Sequence, residues 1–95
     1  MSELVEFSSV VSDIREECRL PGRQRWQIAL ETTKFSAGEG GTLEAVARSG
    51  ARLVLRVLDV QQDAEGQMWH TVEKPLAAGT PVTGRFGNEP QGRVL

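Results

Sequence analysis

In the segment RWQIALETT, Trp26, Ile28 and Leu30 alternate with Arg25, Gln27 and Glu31. A period of two over that length describes a strand with one face on a core and the other toward water. A strand needs a neighbour, and the preceding RLPGRQR supplies the reversal that brings one. Pro21 presets φ and Gly22 accepts a positive one, which suits the two central positions of a type II turn. Upstream of that turn the pattern is double. Val10, Ile14 and Cys18 are four apart, as on a helix, yet they also share one face of an extended chain. The β-branched pair Val10 and Val11 favours a long hairpin, while REEC pulls toward helix.

The next stretch, FSAGEGGTLEAVA, sets four small flexible residues before an apparent helix. Thr42 can cap it, Glu44 complements the positive end of its dipole, and Leu43, Val46 and Ala47 fall at i, i+3 and i+4. Gly50 supplies the stop. These signals predict a helix over residues 42–49. Glycines ahead of a helix also raise the question of a phosphate cradle. A P-loop needs a lysine followed by Ser or Thr, and none follows here. The dinucleotide pattern fails at its third glycine, which is Leu43, and Glu39 would face the ligand's negative charge. The segment therefore reads as a capped hinge rather than an anion site.

After Gly50, ARLVLRVLDV is the most apolar run and reads as a central strand. QQDAEG looks like a hairpin loop, with Asp63 and Gly66 suited to the ends of a type I turn. QMWHTVEK returns as a strand that Pro75 stops, and TPVTGRF is a short extra edge strand that tolerates its proline near the start. The order β-β-α-β-β describes an α+β or mainly β domain, built as a small antiparallel sheet or partly open barrel with one short helix. A chain of 95 residues has room for one such core. We place the globular domain at residues 1–86 and a flexible tail at 87–95, where Gly87, Pro90 and Gly92 interrupt any period.

Composition excludes several chemistries. A net charge of −2 generates no overall field that would gather nucleic acid or an anionic membrane. The lone Cys18 cannot close an intramolecular disulfide, the start MSELVEFSS lacks the pattern of a secretion signal, and no apolar run approaches a membrane span. The expected address is cytoplasmic. With one His, one Cys and no Tyr, acid–base or nucleophilic catalysis would require the fold to join Cys18 and His70. Cys18 reads better as a small core residue and His70 as a surface or half-buried packing residue. Glu16 and Glu17 are adjacent, so on a strand they point to opposite faces. A zinc site needs more Cys and His than exist here, and DAEG offers too few oxygens for calcium. Neither an active site, a cofactor nor a metal is expected.

Two binding readings remain. Arg19, Arg23 and Arg25 surround the proposed turn with Trp26 beside them, a patch able to clamp phosphate and stack a base. Trp69, on the strand face opposite His70, is the next stacking candidate. Trp26 also begins an apolar face, which makes it a core anchor. The favoured reading is a small non-enzymatic module that acts through protein contacts, because a small β domain has edges that must be blunted or used. On the TPVTGRF edge the interface candidates are Thr80, Val82, Thr83, Arg85 and Phe86, and self-association is the simplest case. An accessory or inhibitor protein, of the kind that phages and mobile elements encode, has this profile.

Overall fold

The computed structural model describes residues 4–20, 22–47 and 49–87. They form seven antiparallel strands: β1 (Leu4–Leu20), β2 (Arg23–Leu30), β3 (Gly41–Val46), β4 (Arg52–Val57), β5 (Asp59–Gln62), β6 (Met68–Val72) and β7 (Pro81–Gly87). In the sheet they run β4-β3-β7-β1-β2-β6-β5. The two outermost strands, β4 and β5, are consecutive in the chain and separated only by Leu58. The sheet therefore curls into a half-barrel whose ends meet through one bent segment. Leu58 N–H donates to Thr71 O at 2.8 Å and holds the bend against β6.

The other long strand bends as well. Leu4 to Val10 of β1 pair with β7, whereas Val11 to Leu20 pair with β2. Register shifts between Val11 and Asp13 and between Glu16 and Cys18 mark bulges, which turn a strand and increase its twist. The first bulge breaks the common face expected of Val10 and Ile14, because Val11 rather than Val10 is buried. Val11 is buried and Ile14 packs against the core, a spacing of three that an uninterrupted strand cannot turn to one face. The long hairpin is thus present, and Gly22 at its turn adopts φ +72°.

The curled sheet closes over Phe7, Val11, Ile28, Leu30, Leu43, Leu55, Val57, Val60, Val72 and Val82. Phe35, from the segment joining β2 to β3, fills the interior. Its ring meets Phe7 edge-on at 5.7 Å and His70 edge-on at 5.2 Å, and lies 4.8 Å from Phe86. Gly84 and Gly41 make room for these rings. An ideal Cβ on Gly84 would sit 2.6 Å from Phe7, and one on Gly41 would strike the Arg85 carbonyl, Phe35 and Phe86.

Three expectations are corrected. Residues 42–46 of the predicted helix are strand β3, with Leu43 and Ala45 buried, and the described residues contain no helix. A helix of eight residues is too short to compete with ladders on both sides, to β4 and β7. Gly50 does stop an element, but as the positive-φ residue of the β3–β4 hairpin, whose turn closes with Gly50 N–H on Ala47 O. Second, TPVTGRF is not an edge. β7 lies between β3 and β1, because its Gly84 lets it cross above Phe7 in the interior. Third, the apolar run after Gly50 is not a central strand. It is two short edge strands, apolar because the bend at Leu58 brings both Val57 and Val60 inward. Of the tail at 87–95, Gly87 completes β7 opposite Leu4, and the remainder lies outside the described residues.

Candidate interaction surfaces

The outer face of β1, β2, β5 and β6 carries Arg15, Gln27, Gln61 and Trp69. The guanidinium carbon of Arg15 stands 3.9 Å from the Trp69 ring centroid. Arg15 Nε also donates to Gln27 Oε1 at 2.8 Å, and Gln27 Nε2 donates to Gln61 Oε1 at 3.2 Å. The indole is held at its edge too, where Nε1 donates to Asp63 Oδ2 at 2.9 Å. Asp63 Oδ1 accepts the N–H groups of Glu65 and Gln67 and so organises the β5–β6 loop, which the sequence placed correctly. The indole N–H, then these two amides, hold the Asp63 carboxyl below its ordinary range. Trp69 does lie opposite His70, but it is only 7% exposed and Arg15 covers it.

Trp26 points the other way, toward the core, where it is half-buried. It lines an open groove of about 470 Å³ with Ile14, Pro75, Leu76 and Ala77. Arg25 is exposed on the opposite face of β2. Arg19 and Arg23 fall where only the backbone is described, at positions paired with Gln24 and Leu20. The two tryptophans named for stacking therefore belong to opposite faces of the sheet, and neither offers an open ring beside Arg25.

His70 is fully buried with both ring nitrogens engaged. Nδ1 lies 2.8 Å from Ile28 O, which can only accept, so Nδ1 carries the proton. Nε2 then accepts from the Thr33 hydroxyl at 2.9 Å, and Thr33 Oγ1 accepts from Phe35 N–H. Burial pushes the imidazole pKa down, opposed by the bond to Ile28. This is a neutral, satisfied core histidine. Among the described residues, no three His, Cys, Asp or Glu side chains gather as a metal-binding group.

FSAGEGG forms a crossing rather than a cradle. Glu39 Oε1 accepts from Ser36 N–H at 2.7 Å, so the chain's own carboxylate takes the amide an anion would seek. Gly38, at φ +86°, donates its N–H to Val60 O at 2.8 Å and covers part of the outer edge of β5.

Of the interface candidates in TPVTGRF, Val82 is buried and Phe86 packs inward on Phe35. Thr80 bonds back to Ala77 O through both its N–H and its hydroxyl. Thr83 and Arg85 reach the outer face of the β1, β7, β3 and β4 half. There Arg85 bridges Glu6 at 2.7 Å and Glu44 at 2.8 Å, and Glu44 also meets Arg52 at 3.3 Å. The hydrogen bond from Arg85 and the charge of Arg52 lower the Glu44 pKa, and Glu44 and Glu6 raise that of Arg85.

The same face exposes large apolar side chains. Leu4, Val46 and Val54 are 60%, 54% and 58% exposed, all on its outer side. Val54 belongs to β4, which has one neighbouring strand among the described residues. Ala47 N–H donates to Ala51 O at the start of the β3–β4 ladder, and bonded pairs alternate with non-bonded ones from there. Arg52, Val54 and Arg56 consequently aim their backbone N–H and C=O groups away from β3. No hydrogen bond to these outward groups occurs among the described residues. The sequence reading missed this edge because it took the run for a central strand. The alternation of exposed Arg52, Val54 and Arg56 with inward Leu53, Leu55 and Val57 was the available signal.

Comparison of the chain with protein-family models, curated proteins and solved structures returns no match.

Proposed function

We propose that this protein is a small non-enzymatic binding module that holds a protein segment by adding it as a strand to β4. The observation that supports this reading is the backbone row at Arg52, Val54 and Arg56, open among the described residues, beside exposed Val54 and Val46. Natural sheets cover, shorten or bulge such edges, as Gly38 does for β5 here. An uncovered row supplies main-chain hydrogen bonds to any extended peptide, and alternate side chains add selectivity. The expected β7 interface becomes an outer face beside this edge, where Thr83 and Arg85 contact a partner only at its rim.

Val54→Pro tests the reading. Its N–H points outward, so proline removes one edge donor while leaving the β3 ladder intact. A partner retained from the native cell by the wild-type protein should be lost by the variant with the fold preserved. Retention by both proteins would place docking elsewhere. A nuclease-sensitive complex would replace the protein reading with single-stranded nucleic-acid binding through Arg19, Arg23 and Arg25.

A further inference from the structure

We propose that β4 takes an extended acidic segment of a different protein, one whose carboxylates flank an apolar residue at alternate positions. This rests on the reading of β4 as the docking edge and specifies its partner.

The side chains along the open row are Arg52, Val54 and Arg56, all exposed. The Arg52 side chain is 75% exposed even with its contact to Glu44. Arg56 has no ion pair among the described residues. On a strand, alternate residues stand about 6.8 Å apart on one face. The row therefore presents cation, apolar, cation in sequence, and an added strand sets its own side chains directly opposite.

A second copy fits badly. Pairing two β4 strands about a two-fold axis at Val54 would place Arg52 of each copy opposite Arg56 of the other. Like charges directly opposite are destabilising. Shifting the axis by one residue sets Arg56 against Val54 and loses the apolar contact. These arginines blunt self-pairing, one of the ordinary devices for protecting an edge. They do not blunt pairing with carboxylates. A segment of the form Glu-x-Val-x-Glu meets both arginines and covers Val54, while its backbone completes the ladder. The backbone row favours peptide over nucleic acid, which carries anions but no matching amides.

The test uses three short peptides containing Glu-Thr-Val-Thr-Glu, Gln-Thr-Val-Thr-Gln or Lys-Thr-Val-Thr-Lys, titrated by anisotropy at low and moderate salt. The Glu peptide should bind tightest, roughly three- to tenfold above the Gln peptide, since two exposed ion pairs each contribute modestly. That advantage should shrink with salt. The double variant R52E/R56E should prefer the Lys peptide instead. Equal binding of Glu and Gln peptides, both abolished by Val54→Pro, would overturn the charge selection and leave strand addition standing. No binding by any peptide would overturn both and leave the arginines as edge protection alone. A concentration-dependent doubling of mass, abolished by Val54→Pro, would assign the edge to a second copy and overturn the acidic partner. Single-stranded oligonucleotide binding abolished by R52E/R56E would assign the arginines to phosphate and overturn it as well.

Discussion

The guanidinium of Arg15 lies over the indole of Trp69, 3.9 Å from the ring centroid, and ties β1 to β6 across the intervening β2. The side chain seals a tryptophan on the outer face of a sheet and anchors Gln27 through its Nε. Replacing Arg15 by Ala should cost about 0.5–2 kcal/mol, combining a cation–π contact and a hydrogen bond. In a Trp26→Phe background the remaining Trp69 emission should shift to the red as water reaches the ring. Unchanged emission would mean that Arg15 does not cover it in solution.

Gly84 permits β7 to cross Phe7 at close range. A methyl group there would sit 2.6 Å from the ring, so Gly84→Ala should destabilise by roughly 1–3 kcal/mol through overpacking. Combining it with Phe7→Leu should recover part of that loss. A denaturant-based double-mutant cycle measures the coupling, and strict additivity would show that the two sites do not touch.

His70 makes stability depend on pH in a defined direction. Its folded pKa lies below the ordinary 6.5, so the unfolded chain binds the proton more readily. Stability from this group is complete above about 6.5 and falls as pH drops from there through the folded value. Denaturation midpoints from neutral to mildly acidic pH should show the decline. Nitrogen NMR should find the ring neutral with its proton on Nδ1, and titration at the ordinary value would contradict the buried geometry.

Asp63 adds a second acid-sensitive step. Its folded pKa is depressed from 3.8, so its contribution is present above that value and disappears as pH falls through the folded one. Asp63→Asn should lower stability at neutral pH, loosen the β5–β6 loop and remove the low-pH component. Amide exchange at Glu65 and Gln67 reports the loop, and protection equal to wild type would show that the carboxylate does not organise it.

The sequence by itself determined the elements whose signals are local. Pro21 and Gly22 announce a turn, the alternation at Trp26, Ile28 and Leu30 makes β2 inevitable, and Asp63 to Gly66 spell a hairpin loop. It did not reach the full burial of His70, which the sequence places only as a surface or half-buried packing residue. The tertiary structure decided everything that depends on neighbours. Thr42 to Val46 satisfy helix and strand patterns alike, and only ladders to β4 and β7 chose between them. Edge and centre were exchanged between β4 and β7 for a related reason. Apolarity reports how much of a strand is covered and not which strand covers it, so a chain bent at Leu58 to serve both halves of the barrel looks central. The small residues of β7 look peripheral although Gly84 is what allows that strand inside. Whether a row of backbone amides lacks a neighbouring strand is likewise a property of the sheet's order, and only the fold reveals it, among the described residues, at Arg52, Val54 and Arg56.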